Sequence, residues 1–186
     1  MQLREGKYDM ASEILNPKTA AWPASLAAAT VLGSFALACV FPFAAFATLA
    51  ALTMKPRTGL ALMASVWAAN QFVGFFVMSF PWDAQAVGHG IAILAASLAA
   101  FAAARLTGAK IGGNAVLRSA IALVSAFIVF QVLLRAYAQV GGGAENFSAE
   151  IITDVAINDA LWFAGLMALR FALTRFTGQT ALPAAA

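Results

Sequence analysis

Between residues 20 and 175 one apolar run follows another, each close to the length that crosses a lipid bilayer, and this constrains the fold before any motif does. A hydrocarbon core near 30 Å needs about 20 apolar residues in an α-helix. Inside that core the backbone has no water to bond, so it must close its hydrogen bonds within the protein. The apolar share of the chain is 62% and the charged share 10%, against roughly 45–50% and 25% in soluble domains. The expected fold is therefore an all-α integral membrane protein, one bundle with no room for a further soluble domain. Its single cysteine, Cys39, lies in an apolar run, so no intramolecular disulfide is possible. Arg4, Glu5, Lys7 and Asp9 precede no short apolar core with a small-residue cleavage site, and a cleaved signal peptide is not expected.

Residues 1–19 read as a polar cytoplasmic arm, 20–175 as the transmembrane domain, and 176–186 as a disordered tail. Four spans are plain: 58–80, 87–105, 117–138 and 152–174. The segment 20–53 is interrupted only at Pro42. As one helix it would be about 50 Å long, well beyond the bilayer core. Proline lacks the helical N–H and favours a break, so two short spans of about 15–16 residues each, turning at Phe41-Pro42-Phe43, are the preferred reading. That makes about six spans.

The basic residues orient the bundle. With six spans, Arg4, Lys7, Lys18, Lys55, Arg57, Arg105, Lys110, Arg118, Arg170 and Arg175 share one side, and Arg135 stands alone on the other. Positive residues mark the cytoplasmic face, so both termini are expected inside, in a cell or inner membrane. The same residues explain the pI of about 9.4 as orientation and lipid contact, with no nucleic acid implied. The run Gly88, Ala92, Ala96, Ala100 and Ala104 recurs every four residues, a small-residue strip that lets helix backbones approach closely. Ser25, Ala29 and Gly33 form a shorter one.

No enzyme is expected, because the chain holds no paired His-Glu motif, no second cysteine and no phosphate loop. One histidine builds no multi-histidine metal site, and no cofactor is called for. What stands out is a polar set at one level of the bundle. Asn70 and Gln71 lie mid-span, with Asp83 and His89 around the following turn; Gln131 and Arg135 share a face of the next-to-last span, and Asp154, Asn158 and Asp159 lie on the last. Polar groups at bilayer depth are costly, so they seek a cavity or one another. Each also has a plainer reading. Arg135 with Asp154 or Asp159 reads as an ion pair between the last two spans, Asn70 and Gln71 as hydrogen bonds between helices, and His89 as a solvated helix-start residue. Taken jointly they outline an outward cavity with Trp67 and Phe75 as apolar walls and neutral amides at depth.

About six spans, both ends inside, a small-residue face at Ser25, Ala29 and Gly33, and an outward polar pocket together resemble the substrate-binding S components of energy-coupling-factor vitamin transporters. The resemblance covers residues 20–175 and is one of architecture. It implies capture of a vitamin-like solute, contact of the Ser25 face with an ATP-driven energising module, and a site drawn from Trp67, Asn70, Gln71, Phe75, Asp83, His89, Gln131, Arg135, Asn158 and Asp159. Similarity to the BtuM-like cobalamin proteins of that family would make His89 the outside ligand of a corrinoid cobalt. The short link between the first two spans departs from the longer ligand-covering loop of many S components. The competing reading is a structural or assembly protein that binds partner helices along Gly88 to Ala104. Orientation is testable directly. Gly142→Cys should react with an impermeant maleimide in intact cells and Gly112→Cys should not; the reverse labelling would turn the polar level inward.

Overall fold

The computed structural model describes residues 41–177 together with Trp22, Ser25, Leu26, Ala28 and Ala29, which are helical. The arm 1–19, Gly33, Cys39 and the tail beyond Thr177 lie outside the described residues. Five α-helices follow in order: α1 Phe43–Thr53, α2 Pro56–Phe72, α3 Ala84–Lys110, α4 Ala115–Gly141 and α5 Ala149–Thr177. A π-helical turn, Val73–Val77, extends α2, and a short 3₁₀ turn, Ala144–Phe147, precedes α5. No strand occurs among the described residues. Four helices, α2 with its π extension and α3 to α5, are long and apolar enough to cross a membrane. The molecule is thus a helical membrane protein.

Three of these helices, α3 to α5, overrun the spans read from hydropathy, and each starts at a capping side chain, whereas α2 with its π turn stops three residues short of the expected end at Phe80. Asp83 Oδ1 accepts the Ala86 N–H at 2.8 Å and starts α3. Asn114 Oδ1 accepts the N–H groups of Val116 at 2.8 Å and Leu117 at 3.4 Å and starts α4. Ser148 Oγ accepts from Ile151 at 3.3 Å beside the start of α5. Such side chains satisfy N–H groups that a helix end leaves without partners. At the other end α5 continues through Phe176 and Thr177, two residues into the expected tail.

The helix α1 departs from a span altogether. Its eleven residues extend only about 16 Å, half of a hydrocarbon core. All residues from Phe43 to Ala51 are buried. A helix that is apolar on every side belongs inside protein, and α1 packs on α2, α3, α4 and α5. It starts where the sequence predicts a turn, with Pro42 in the N-cap position, and proline offers no capping side chain.

Both ends of α1 are instead served by other helices. At its start, Asp159 of α5 reaches in, and its Oδ1 accepts the Ala45 N–H at 2.7 Å. At its end, Arg105 of α3 donates from one Nη atom to the carbonyls of Ala51 and Met54, at 3.3 Å each. An acid at the N-terminus and a cation at the C-terminus both complement the helix macrodipole, each by up to about 2 kcal/mol when partly buried. Thr53 adds a third tie, since its Oγ1 accepts from Trp22 Nε1 at 3.0 Å and donates to Leu49 at 2.6 Å. The Arg170 guanidinium lies 5.3 Å from the Trp22 ring centre. Asp159 and Arg170 stand eleven positions apart on α5, about 16 Å, which matches the length of α1.

The strip on α3 faces inward. Ala96, Ala100 and Ala104 are completely buried and Gly88 and Ala92 partly so. Along this helix α3 packs chiefly on α4 and then on α1, with Thr107 and Ser125 hydroxyls 2.9 Å apart across the α3–α4 seam. Much of the strip is therefore consumed within the chain. Ala29 of the shorter strip also packs against the core, and Ser25 bonds the Trp22 carbonyl at 2.8 Å. Ala95, one residue from Ala96, is exposed. Ala96→Leu should lower detergent thermal stability by about 1–3 kcal/mol, the usual cost of overpacking, while Ala95→Leu should change little. Equal melting temperatures would refute the close packing of this face.

Candidate functional site

The candidate site lies beyond the N-terminus of α1. There a cavity of about 600 Å³ opens between the last turns of α2, the start of α3, the later part of α4 and the start of α5. Phe41 and Phe43 form its floor beside Phe130, whose ring stacks on Phe43 with centres 5.7 Å apart.

The wall from α2 depends on how that helix ends. Its π-helical turn closes with Met78 N–H donating to Val73 at 2.9 Å and Phe80 N–H to Gly74 at 3.0 Å. Ser79 takes φ 59°, a left-handed conformation that reverses the chain. Phe80 then folds back over Gly74, where an added Cβ would stand 3.0 Å from the ring. Phe75, Met78 and Phe80 all line the cavity, and Phe75 is held by stacking on Trp82 with centres 4.2 Å apart.

Below these rings lie the amides. Asn70 and Gln71 face the cavity, and Gln71 Nε2 donates to Asn70 Oδ1 at 3.3 Å. The carbonyl of Gln71 rests on Gly90, where a Cβ would approach its Oε1 to 2.5 Å. A side chain at 90 would push the Gln71 amide from this position. The Gly90 carbonyl accepts the Trp67 indole N–H at 2.6 Å, clamping α2 to α3 beneath the amides.

His89 and Gln131 supply the facing polar groups. His89 Nδ1 lies 2.9 Å from the Gln85 carbonyl. A carbonyl only accepts, so this geometry assigns a hydrogen to Nδ1; in the neutral ring Nε2 is then the acceptor. The Nε2 points toward the turn at Gly143, where a Cβ would lie 3.2 Å away. The His89 ring meets Tyr137 edge-on at 5.0 Å, and the Tyr137 hydroxyl occupies the space a side chain at Gly88 would need. Asn146 and Phe147, from the 3₁₀ turn, complete the rim above Ile151, Ile152 and Val155 of α5.

Of the residues expected in a site, Asn70, Gln71, Phe75, His89 and Gln131 therefore meet around one cavity. Five others do not line it. Trp67 is the clamp on Gly90, Asp83 is the cap of α3, and Asp159 is the cap of α1. Asn158 is half-buried on α5 outside the lining. Arg135 is exposed, and among the described residues no ion pair joins it to Asp159 or to Asp154, which is exposed as well. The sequence reading had no place in the cavity for Phe41, Phe43, Asn146 or Phe147. Pro42 between two phenylalanines and Asn146 after three glycines were the available signals.

The arrangement is suited to binding. Apolar and aromatic walls offer area, and a few amides offer paired donors and acceptors without a buried charge. Among the described residues no cluster of three or more His, Cys, Asp or Glu side chains could hold a metal ion. No protein-family model, curated protein or solved structure matches the chain.

Proposed function

We propose that this protein is a membrane-embedded binding or transport protein for a small, uncharged or amphipathic, vitamin-like solute. The cavity carries the reading. Its 600 Å³ falls within the range of small-molecule sites, and four neutral or lone-pair-bearing side chains, Asn70, Gln71, His89 and Gln131, come from three helices to one apolar space. Neutral amides suit a ligand with amide or hydroxyl groups, whereas a charged solute would want counter-charges that this lining lacks.

The wider arrangement is part of the same proposal: four full spans with α1 as a half-length helix buried among them, both termini cytoplasmic, and the cavity open to the extracytoplasmic side of a cell membrane. The one-sided basic residues support that orientation, and the resemblance to S components supports vitamin capture, with cobalamin among the candidates and an ATP-driven module as the energising partner. The assembly reading is weakened by the burial of Ala96, Ala100 and Ala104 within the chain, which leaves less of that strip for a partner helix.

Mass spectrometry of small molecules that co-purify with the protein would identify the solute. With it in hand, Asn70→Ala and Gln131→Ala should each weaken binding about tenfold or more. Each removes one side of a hydrogen bond in a dry site, a loss of about 1–3 kcal/mol. Size-exclusion profiles should remain those of the wild type. Unchanged affinity in both variants would contradict the proposal.

A further inference from the structure

Asp159 is the one buried acid among the described residues, 2% exposed. Only one of its oxygens is occupied by a hydrogen bond. Oδ1 accepts the Ala45 N–H at 2.7 Å and the neighbouring Ala44 N–H is also directed at the carboxyl group, while Oδ2 is buried and has no hydrogen-bond partner. An ionised carboxylate has about four acceptor positions, so a fixed negative charge is poorly served here. Among the described residues, no cation of the elements packed on α5 bonds to Asp159. α1 contains no titratable side chain, α4 carries Arg118, Arg135 and Tyr137, and the 3₁₀ turn carries Glu145. On α5 itself stand Glu150, Asp154, Arg170 and Arg175. None of these bonds to Asp159; Arg170 lies over Trp22, Tyr137 meets His89, and Arg135, Glu145, Glu150 and Asp154 are exposed. A lone carboxylate without neighbouring acids or histidines does not make a metal site.

The position of the orphan oxygen matters as much as its isolation. Val155 lines the cavity, and Asp159 follows it one helical turn further along α5. Phe43 lines the same floor two residues before Ala45. Phe41, Phe43 and Phe130 line the cavity, and Phe43 belongs to the first turn of α1, whose N–H groups Asp159 meets. Ionisable groups at this depth in membrane proteins commonly serve as proton relays.

We propose that Asp159 is a proton-binding site beneath the cavity floor, with Oδ2 as the atom that takes the proton. Uptake forms one O–H bond and neutralises the carboxylate, with no other bond made or broken covalently. The Ala45 N–H contact to Oδ1 changes from a charge-assisted to a neutral hydrogen bond, which is weaker. Protonation therefore loosens the hold of α5 on the N-terminus of α1 and on the floor that Phe43 provides. This site does not depend on what the cavity binds.

Infrared titration of the purified protein tests the proposal, compared with Asp159→Asn. Asparagine keeps an oxygen for the Ala45 N–H and cannot titrate. The wild type should show a buried carboxylic C=O band that disappears as pH rises, and the Asn variant should lack it. Amide exchange across 43–53, corrected for intrinsic pH effects, should in the Asn variant match the protonated wild type at every pH. Spectra of the two proteins that superimpose throughout would make Asp159 a permanently ionised cap and overturn the proposal. If Asp159→Asn does not fold, carboxyl-¹³C-aspartate labelling of the wild type and of Asp159→Glu decides the matter. The band should carry the isotope shift in the wild type and lose it in the Glu variant. Absence of any buried aspartic acid band in the wild type would overturn the proposal equally.

Discussion

The bundle depends on a short helix held at both ends by charged side chains from its neighbours. α1 has no polar face with which to meet water and too few residues to cross a membrane, so it survives only inside other helices. Its unpaired N–H and carbonyl groups would then be stranded in an apolar interior, where each lost bond costs about 1–3 kcal/mol. Asp159 and Arg105 reach these ends from α5 and α3. The two contacts satisfy backbone groups and match the dipole at the same time. They also set the relative depth of three helices, because each end of α1 must meet its own partner.

α1 begins only after Pro42, and the cavity at its head is lined by what the surrounding helices present at that level. Irregular backbone at membrane depth is tolerated where it lines a cavity or is buried in protein, and Phe41 and Pro42 meet that condition. Discontinuous helices that end at a central site are a recurring device of transporters. Here the positive end of the helix is already engaged by Asp159, so the cavity above it keeps a neutral lining.

Sequence made the polar level legible and left its internal geometry hidden. Asn70, Gln71, His89 and Gln131 could be set at one height by span lengths and loop positions alone, and all four line the cavity. Rotation about each helix was harder to read. Asn158 stands one residue before Asp159, yet the cavity face of α5 runs through Ile151, Ile152 and Val155. Trp67 looked like a wall because it is one turn from Asn70, and its indole N–H instead finds the Gly90 carbonyl. The ends of α1 were the least legible part. An apolar helix without a polar face carries no periodicity to show which neighbours surround it, and the partners of its ends lie 54 and 114 positions away. By contrast the small-residue strip of α3 was visible because a repeat of four is itself the geometry of a helix face.

The central claim is that a guanidinium at the end of α1 holds the short helix in place. Thermal unfolding in detergent of Arg105→Gln, with Lys110→Gln as the control, measures this most directly. Lys110 belongs to the same end of α3 and is exposed. The account predicts a loss of about 1–3 kcal/mol for Arg105→Gln, from part-buried carbonyls left without their donor, and a change within about 0.5 kcal/mol for Lys110→Gln. Equal, small effects of the two substitutions would contradict it.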